Sequence, residues 1–378
     1  MNARRPVGKS EIASAHAQAA GTPAPEGGEV AAVPPGTRRR PWEGVQAEAV
    51  FAPLAMIALF IALSLASDEF LTRGNLINVA TQMAVLAIVA FGVTVVMVCG
   101  AFDLSVGSQL ALHGCVAAIV MRDTGSITLG VCAGLASGAV FGLVNGLLTT
   151  RLAINPFIVT LGTLVIGRGI VLAITDARPV TGTPGEIREF GLGEPLGVPW
   201  IVWLMLACFL VAAFILHATP YGLRVFATGG NREAARLSGI RVGWVTVAAF
   251  VLSGLFAAVA GIALMARLRI GLPTAGNFTE LFAVAAVVLG GSSLYGGRGA
   301  MWRTLVGVLI IAMIQNGLNL LNVTAAYQQI VIGTVFILAA SSELLRIGVR
   351  RRRARTRREQ AELTPTSESL AGASHDRA

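Results

Sequence analysis

Leu76-Ile77-Asn78-Val79-Ala80-Thr81-Gln82-Met83-Ala84-Val85-Leu86-Ala87-Ile88-Val89-Ala90-Phe91-Gly92-Val93-Thr94-Val95-Val96-Met97-Val98-Cys99 runs without one charged side chain. As a helix rising about 1.5 Å per residue it is longer than a ~30 Å hydrocarbon core. No water-soluble fold needs so long an unbroken apolar helix. The rest of the chain agrees: of 378 residues 54% are hydrophobic and 13% charged, too few charges to cover the apolar surface of a soluble protein. The 44 glycines against 6% aromatics suit helices that approach one another closely in lipid.

Working outward from 76–99, further apolar runs fall at 50–67, 105–121, 127–148, 157–175, 199–217, 244–266, 280–297, 301–321 and 328–347. The reading is an all-α polytopic bundle of about ten spans. Residues 1–48 are rich in Ala, Pro, Gly and charge, without the apolar stretch of a signal peptide, and read as a disordered tail. Residues 49–348 form the transmembrane domain, and 349–378 a second, basic tail. With the N-terminus inside, the inner side holds 22 Lys and Arg against six outside. That bias places both termini in the cytoplasm.

The net charge of +9 gathers in the tails, at Arg38-Arg39-Arg40 and from Arg350 to Arg358. No aromatic residues interleave with these arginines, so they mark membrane orientation and not a nucleic-acid surface. Cys99, Cys115, Cys132 and Cys208 form no C-x-x-C pair, and His16, His113, His217 and His375 have no metal-ligand spacing. With no clustered acid–base pair either, a membrane enzyme is disfavoured. Ala3-Arg4-Arg5-Pro6-Val7-Gly8-Lys9-Ser10 satisfies a permissive phosphate-loop pattern, but no strand precedes it and no helix follows it. The chain is expected to have no ATP site of its own.

Gly130, Gly134, Gly138, Gly142 and Gly146 recur every four residues in the fourth run, a continuous small-residue ridge for close helix contact. A shorter ridge, Ser253-Ala257-Gly261, marks the seventh. Asn145-Gly146-Leu147 and Asn316-Gly317-Leu318 echo one another five spans apart, as an inverted repeat of two halves would.

Three stretches and a scattered polar set carry candidate chemistry. Asp103, in Gly100-Ala101-Phe102-Asp103-Leu104-Ser105-Val106-Gly107-Ser108, is an acid near membrane depth, where a charge costs about 2.5–3.5 kcal/mol if carried to the centre. It reads either as a cap of the third span or as part of a solute path. In the long inner connector, Asn231 suits an N-cap, Glu233 a first turn and Gly239 a C-cap, giving a helix of about seven residues, too short to be stable alone. Gly290 to Gly299 reads as a broken helix or an inter-helix turn. Gln82, Gln109, Asn145, Thr160, Thr163, Gln315, Asn316 and Asn319 could bond a passing hydroxylated solute or neighbouring helices. Arg168, within the fifth run and near its end, is expected to be paired or to snorkel.

Asp103 to Ser108, Asn155-Pro156-Phe157-Ile158-Val159-Thr160-Leu161-Gly162-Thr163, Gly229 to Ile240, the Gly-rich 288–299 and Gln315-Asn316-Gly317-Leu318-Asn319-Leu320-Leu321 occur in the order seen in another group of proteins. Together they resemble the permease subunits of ribose-type ABC importers over about 50–347. One departure is Ala101-Phe102, where members often have Gly-Ile.

The resemblance implies a permease in the bacterial cytoplasmic membrane that translocates a monosaccharide such as ribose, xylose or galactose, or a polyol. It implies an ATP-binding cassette subunit that holds ATP and Mg, an extracytoplasmic sugar-binding protein facing 176–198, and a second permease copy. Asn231, Glu233, Ala234, Ala235 and Gly239 then fall on the segment that meets the ATPase. Asp103, Ser105, Ser108, Asn145, Thr160, Thr163, Gln315, Asn316 and Asn319 are the candidates for the translocation path. No cofactor on this chain, and no nucleic acid, is expected. The rivals are a permease for branched-chain amino acids or nucleosides and an ion-coupled secondary transporter, though the latter would place ionisable residues deep in its spans.

Overall fold

A computed structural model of the protein describes residues 45–324, 326–338 and 341. The expected tails, 1–48 up to Val45 and 349–378, the phosphate-loop-like stretch and the end of the tenth predicted span lie outside the described residues.

The chain folds into helices, among the described residues, joined by short connections. They are α1 (Val45–Ala66), α2 (Arg73–Val98), α3 (Val106–Thr124), α4 (Ile127–Arg151), α5 (Pro156–Ile174), α6 (Ile187–Leu192), α7 (Trp200–Ala218), α8 (Pro220–Gly230), α9 (Arg232–Leu237), α10 (Val242–Leu268), α11 (Thr279–Leu289), α12 (Met301–Leu320) and α13 (326–338). Local chemistry sets their ends. Thr72, Ser126, Asn155, Thr219 and Asn231 each accept an N–H of the first turn through the side chain, and Pro156 and Pro220 occupy the first helical position. Gly125, at φ 68°, closes α3 one residue before Ser126 caps α4.

Every predicted span has a helix. Six of them (α2, α4, α5, α7, α10 and α12) are long and apolar enough to cross a membrane. The third span, α3, is too polar to be among the six, and its surroundings make that tolerable. Most of its length is buried by protein, including Ser108, Gln109 and His113, so its polar face never meets lipid. The most apolar stretches of α2 and α10 are 83% and 67% buried, against 22% for α4 and α7. The centre is therefore α2, α3 and α10, with the other spans around them.

The α4 ridge forms as its spacing requires. Every buried residue of α4 lies on it: Gly130, Gly134, Gly138, Gly142, Asn145, Gly146 and Thr149. A Cβ at Gly138 would sit 2.6 Å from the Gly254 carbonyl oxygen, and one at Gly146 2.8 Å from Val247 Cα. Hydrogen atoms are all that fit between α4 and α10. The opposite face, with Val140 and Val144, is exposed for lipid.

The eighth span departs from expectation. Its helix, α11, ends at Leu289 and not near 297, and at about 16 Å it covers half a hydrocarbon core. Residues 269–278 complete the crossing without helix. They run down α3, from Gly271 beside Ala118 and Cys115 to Gly276 beside Gly107. Residues 99–105 are likewise without helix, between α2 and α3. A long helix, an unwound stretch and a helix starting inside the bundle thus occur twice, five spans apart, as an inverted repeat predicts. The two Asn-Gly echoes are less alike: Asn145 bonds Ser105, whereas Asn316 pairs with Asn75.

Candidate functional site

The unwound start of α3 sets the polar interior. Asp103 is fully buried. Its Oδ1 accepts the Ser105 backbone N–H at 3.1 Å and the Ser105 hydroxyl at 2.5 Å; its Oδ2 accepts the Ser253 hydroxyl of α10 at 2.8 Å. Asp103 is thus not the N-cap of the third span. Ser105 holds that position, and Asp103, two residues earlier, ties the turn to α10, near whose midpoint Ser253 lies.

From Ser105 the network spreads through three helices. The Ser105 hydroxyl accepts Gln109 Nε2 at 2.8 Å and Asn145 Nδ2, on α4, at 2.9 Å. Gln109 Oε1 lies 3.3 Å from His113 Nε2, and His113 Nδ1 lies 2.8 Å from the Ser137 hydroxyl of α4. A line of side chains from Asp103 to Ser137 therefore fastens α3 to α4 and α10 along its buried face. Bonded networks of this kind hold helices in one packing, where a lone polar group would be costly. Asn145 Oδ1 and Thr149 Oγ1 are buried without a protein partner.

Six of the nine path candidates gather here. Ser108 donates to the Ser105 carbonyl at 2.9 Å, Thr160 of α5 to the Phe102 carbonyl at 3.3 Å, and Thr163 to the Thr160 carbonyl at 3.4 Å. Gln315, Asn316 and Asn319 stand elsewhere, on α12. The Asn75 and Asn316 amides bond reciprocally, at 3.0 and 2.7 Å, and Asn319 accepts Gln328 at 2.7 Å. These two groups hold different helix pairs.

Arg168, six residues before the end of α5, is paired and does not snorkel. Its guanidinium donates to the Pro273 and Ala275 carbonyls at 2.7 and 2.9 Å. Unwound backbone in a membrane leaves carbonyls without helical partners, and this arginine supplies two. Of the network members, His113 and Ser137 carry no motif in the sequence that marks them. The only sequence signal for Ser253 was its place as the polar member of a small-residue ridge.

The second candidate region lies at the end of the bundle holding residues 219–241. Asn231 accepts the Ala234 N–H at 3.0 Å, and α9 spans six residues. Gly239, at φ 82°, follows the C-cap Ser238. The Gly239 N–H bonds the Arg236 carbonyl and the Ile240 N–H the Ala235 carbonyl, the two bonds of a Schellman closure. Glu233 pairs with Arg236 at 2.6 Å on the exposed face, while Ala235 is buried. Leu223 and Leu237 are 72% and 78% exposed beside them.

Glycines link the two regions. The Gly297 N–H donates to the Val98 carbonyl at 2.8 Å. A Cβ at Gly296 would lie 2.7 Å from Gly100 Cα, and one at Gly297 2.6 Å from Gly230 Cα. The Gly-rich 290–299 stretch is thus a turn, wedged between the α8–α9 junction and the start of the strand-like run to Asp103. Among the described residues no group of three His, Cys, Asp or Glu could hold a metal.

Buried polar side chains gripping unwound backbone inside a helical bundle define a polytopic membrane transport protein. The profile of the family described as "Branched-chain amino acid transport system / permease component" matches residues 75–340. The ribose import permease protein of Escherichia coli (strain K12) is 43% identical over 290 residues, 76% of this chain and 90% of that protein. That of Bacillus subtilis (strain 168) is 44% identical over 288 residues, 76% and 89% of the two chains. The L-arabinose ABC transporter permease protein of Azospirillum brasilense is 36% identical over 298 residues, 79% and 88%. No solved structure gives a significant match. The chain belongs to this family of permease components, and the resemblance to its ribose-type members holds over most of its length.

Proposed function

We propose that the protein is the membrane permease of an ABC importer for a monosaccharide or polyol, driven by a separate ATPase subunit. The observation that carries this is the junction of α9 with the interior: an exposed, doubly capped helix whose base, Gly229-Gly230, abuts Gly100 and Gly297. The names of the relatives, ribose and L-arabinose permeases, favour a sugar over an amino acid or nucleoside.

In this reading the α9 end faces the cytoplasm of a bacterium and both termini lie there. ATP and Mg are bound by the cassette subunit and not by this chain. Leu223 and Leu237 supply the apolar part of its docking surface, around Glu233 and Ala234. The segment 176–198 at the far end presents Phe190 and Leu196, both well exposed, to the sugar-binding protein. A second copy of the permease completes the path.

When the cassettes close, α9 is pushed. Its short connection leaves little slack, so the displacement passes through Gly229-Gly230 to Gly100, and from there along 101–104 to Asp103. Asp103, Ser105 and Asn145 then hold or release the start of α3 relative to α4 and α10. Rocking of two packed halves about such contacts alternates access.

The test is uptake in vesicles holding permease, cassette subunit, ATP and binding protein. The double variant Glu233→Lys/Ala234→Trp is expected to insert normally and to import no sugar. Wild-type uptake by that variant, or uptake by vesicles without the cassette subunit, would remove this mechanism.

A further inference from the structure

We propose that a groove between α8 and α10 binds one anionic phospholipid from the leaflet at the α9 end. The open groove holds about 660 Å³ and is lined by Tyr221 and Arg224 of α8, by 238–240 at the C-cap of α9, and by Arg241, Trp244, Val245 and Ala248. Its chemistry changes along its length. The exposed Arg224 and Arg241 mark its mouth, and among the described residues neither has a carboxylate within ion-pair distance. Arg151 of α4 lies over the Trp244 ring at 5.7 Å, adding a third positive charge beside the groove.

Below the mouth the lining is apolar. Ala248 lies two turns further along α10 than Arg241, about 10 Å deeper along the axis. The Tyr221 hydroxyl donates to the Val245 carbonyl at 3.2 Å, so its polar tip is taken and the ring is left as wall. Trp244, 55% exposed in the first turn of a membrane span, sits where amphipathic rings mark the headgroup level.

A phosphate at the arginines with an acyl chain along Val245 and Ala248 meets both halves. A soluble subunit approaching from water would meet the mouth but leave the deeper half, which lies along a span, unfilled. A free phosphate would leave it unfilled too. Arginines at a membrane surface attract anionic headgroups by roughly fivefold each, so two of them predict a preference of about thirtyfold over a zwitterionic lipid.

The test uses the full chain, with Trp42, Trp200, Trp203 and Trp302 changed to Phe, in phosphatidylcholine vesicles. These contain a low mole fraction of acyl-brominated phosphatidylglycerol or, in parallel, acyl-brominated phosphatidylcholine. Trp244 emission is expected to be quenched at far lower mole fractions of the phosphatidylglycerol. Arg224→Gln/Arg241→Gln is expected to remove that difference and leave quenching by phosphatidylcholine unchanged. Equal quenching by the two lipids overturns the proposal, as does a difference that survives in the double variant or is abolished by millimolar inorganic phosphate. If neither lipid quenches while the cassette subunit shifts the emission, the groove is a protein face and the proposal fails. Native mass spectrometry of the chain with all its tryptophans gives a second readout: one phosphatidylglycerol retained in preference to phosphatidylcholine, and lost in Arg224→Gln/Arg241→Gln.

Discussion

The Ser253 hydroxyl donates to the Asp103 carboxylate at 2.8 Å between residues 150 positions apart. This bond joins the unwound start of α3 to the middle of the longest helix. Inter-helix side-chain bonds in membranes are worth about 0.6 kcal/mol on average and up to ~1.7. Ser253→Ala is expected to lower the midpoint of thermal unfolding in detergent by a few degrees at most. Asp103→Ala strands Ser105 and Ser253 together, a buried loss of about 1–3 kcal/mol per unsatisfied group, and is expected to cost several degrees more. The double variant should be no less stable than Asp103→Ala alone. Additive losses would show that the bond does not couple the two residues.

Close approach of α4 to α10 predicts a sharp contrast between two glycines of neighbouring helices. A Cβ at Gly142 would lie 2.8 Å from Val251 Cα and collide with the Phe250 carbonyl, whereas one at Gly162 meets nothing within 4 Å. Gly142→Leu should destabilise by more than the ~1–3 kcal/mol typical of overpacking, because backbone and not a flexible side chain must yield. Gly162→Ala should be neutral. Size-exclusion profiles and melting curves of the two variants compare them directly.

At the glycine junction, Gly297→Ala combines a φ of 71° with a Cβ 2.6 Å from Gly230 Cα. The backbone term alone costs about 1–2 kcal/mol. In reconstituted complexes, ATP hydrolysis is expected to continue while sugar uptake falls by roughly tenfold or more, the equivalent of ~1.4 kcal/mol of lost coupling. Equal loss of both activities would point to failed assembly instead.

Gly239, by contrast, meets nothing within 4 Å of its Cβ position, so only its φ of 82° opposes substitution. Gly239→Val should strain the Schellman closure of α9 and weaken binding of the cassette subunit. Gly239→Asn, which tolerates the left-handed region, should restore most of it. Pull-down of the cassette subunit by the two variants measures the difference.

Asn316, a candidate for the solute path, pairs with the half-buried Asn75, and the geometry is that of a clasp between α2 and α12. Asn316→Leu should lower thermal stability, since it leaves the Asn75 amide short of a partner, and should change the sugar concentration for half-maximal uptake little. A large change in that concentration with unchanged stability would return Asn316 to the path.

The all-α apolar bundle, the α4 ridge and the short capped α9 could all be read from the chain alone. Each depends on neighbours in sequence: a helix period, a capping residue three positions from its target, or an apolar run measured against a bilayer. Those signals are local, and local energies decide them. Hydropathy carries the eighth span through 290–297, where the packed chain turns, and gives no sign that 269–278 runs unwound beside α3. Arg168, which satisfies Pro273 and Ala275 from more than a hundred residues away, makes the unwound form possible. Only the packed bundle could pair Asp103 with Ser253, bring Gly100 against Gly296, and separate Asn316 from Asn145. Such partners are chosen by which helices lie side by side, and that choice belongs to the sum of all packing contacts and not to any one segment.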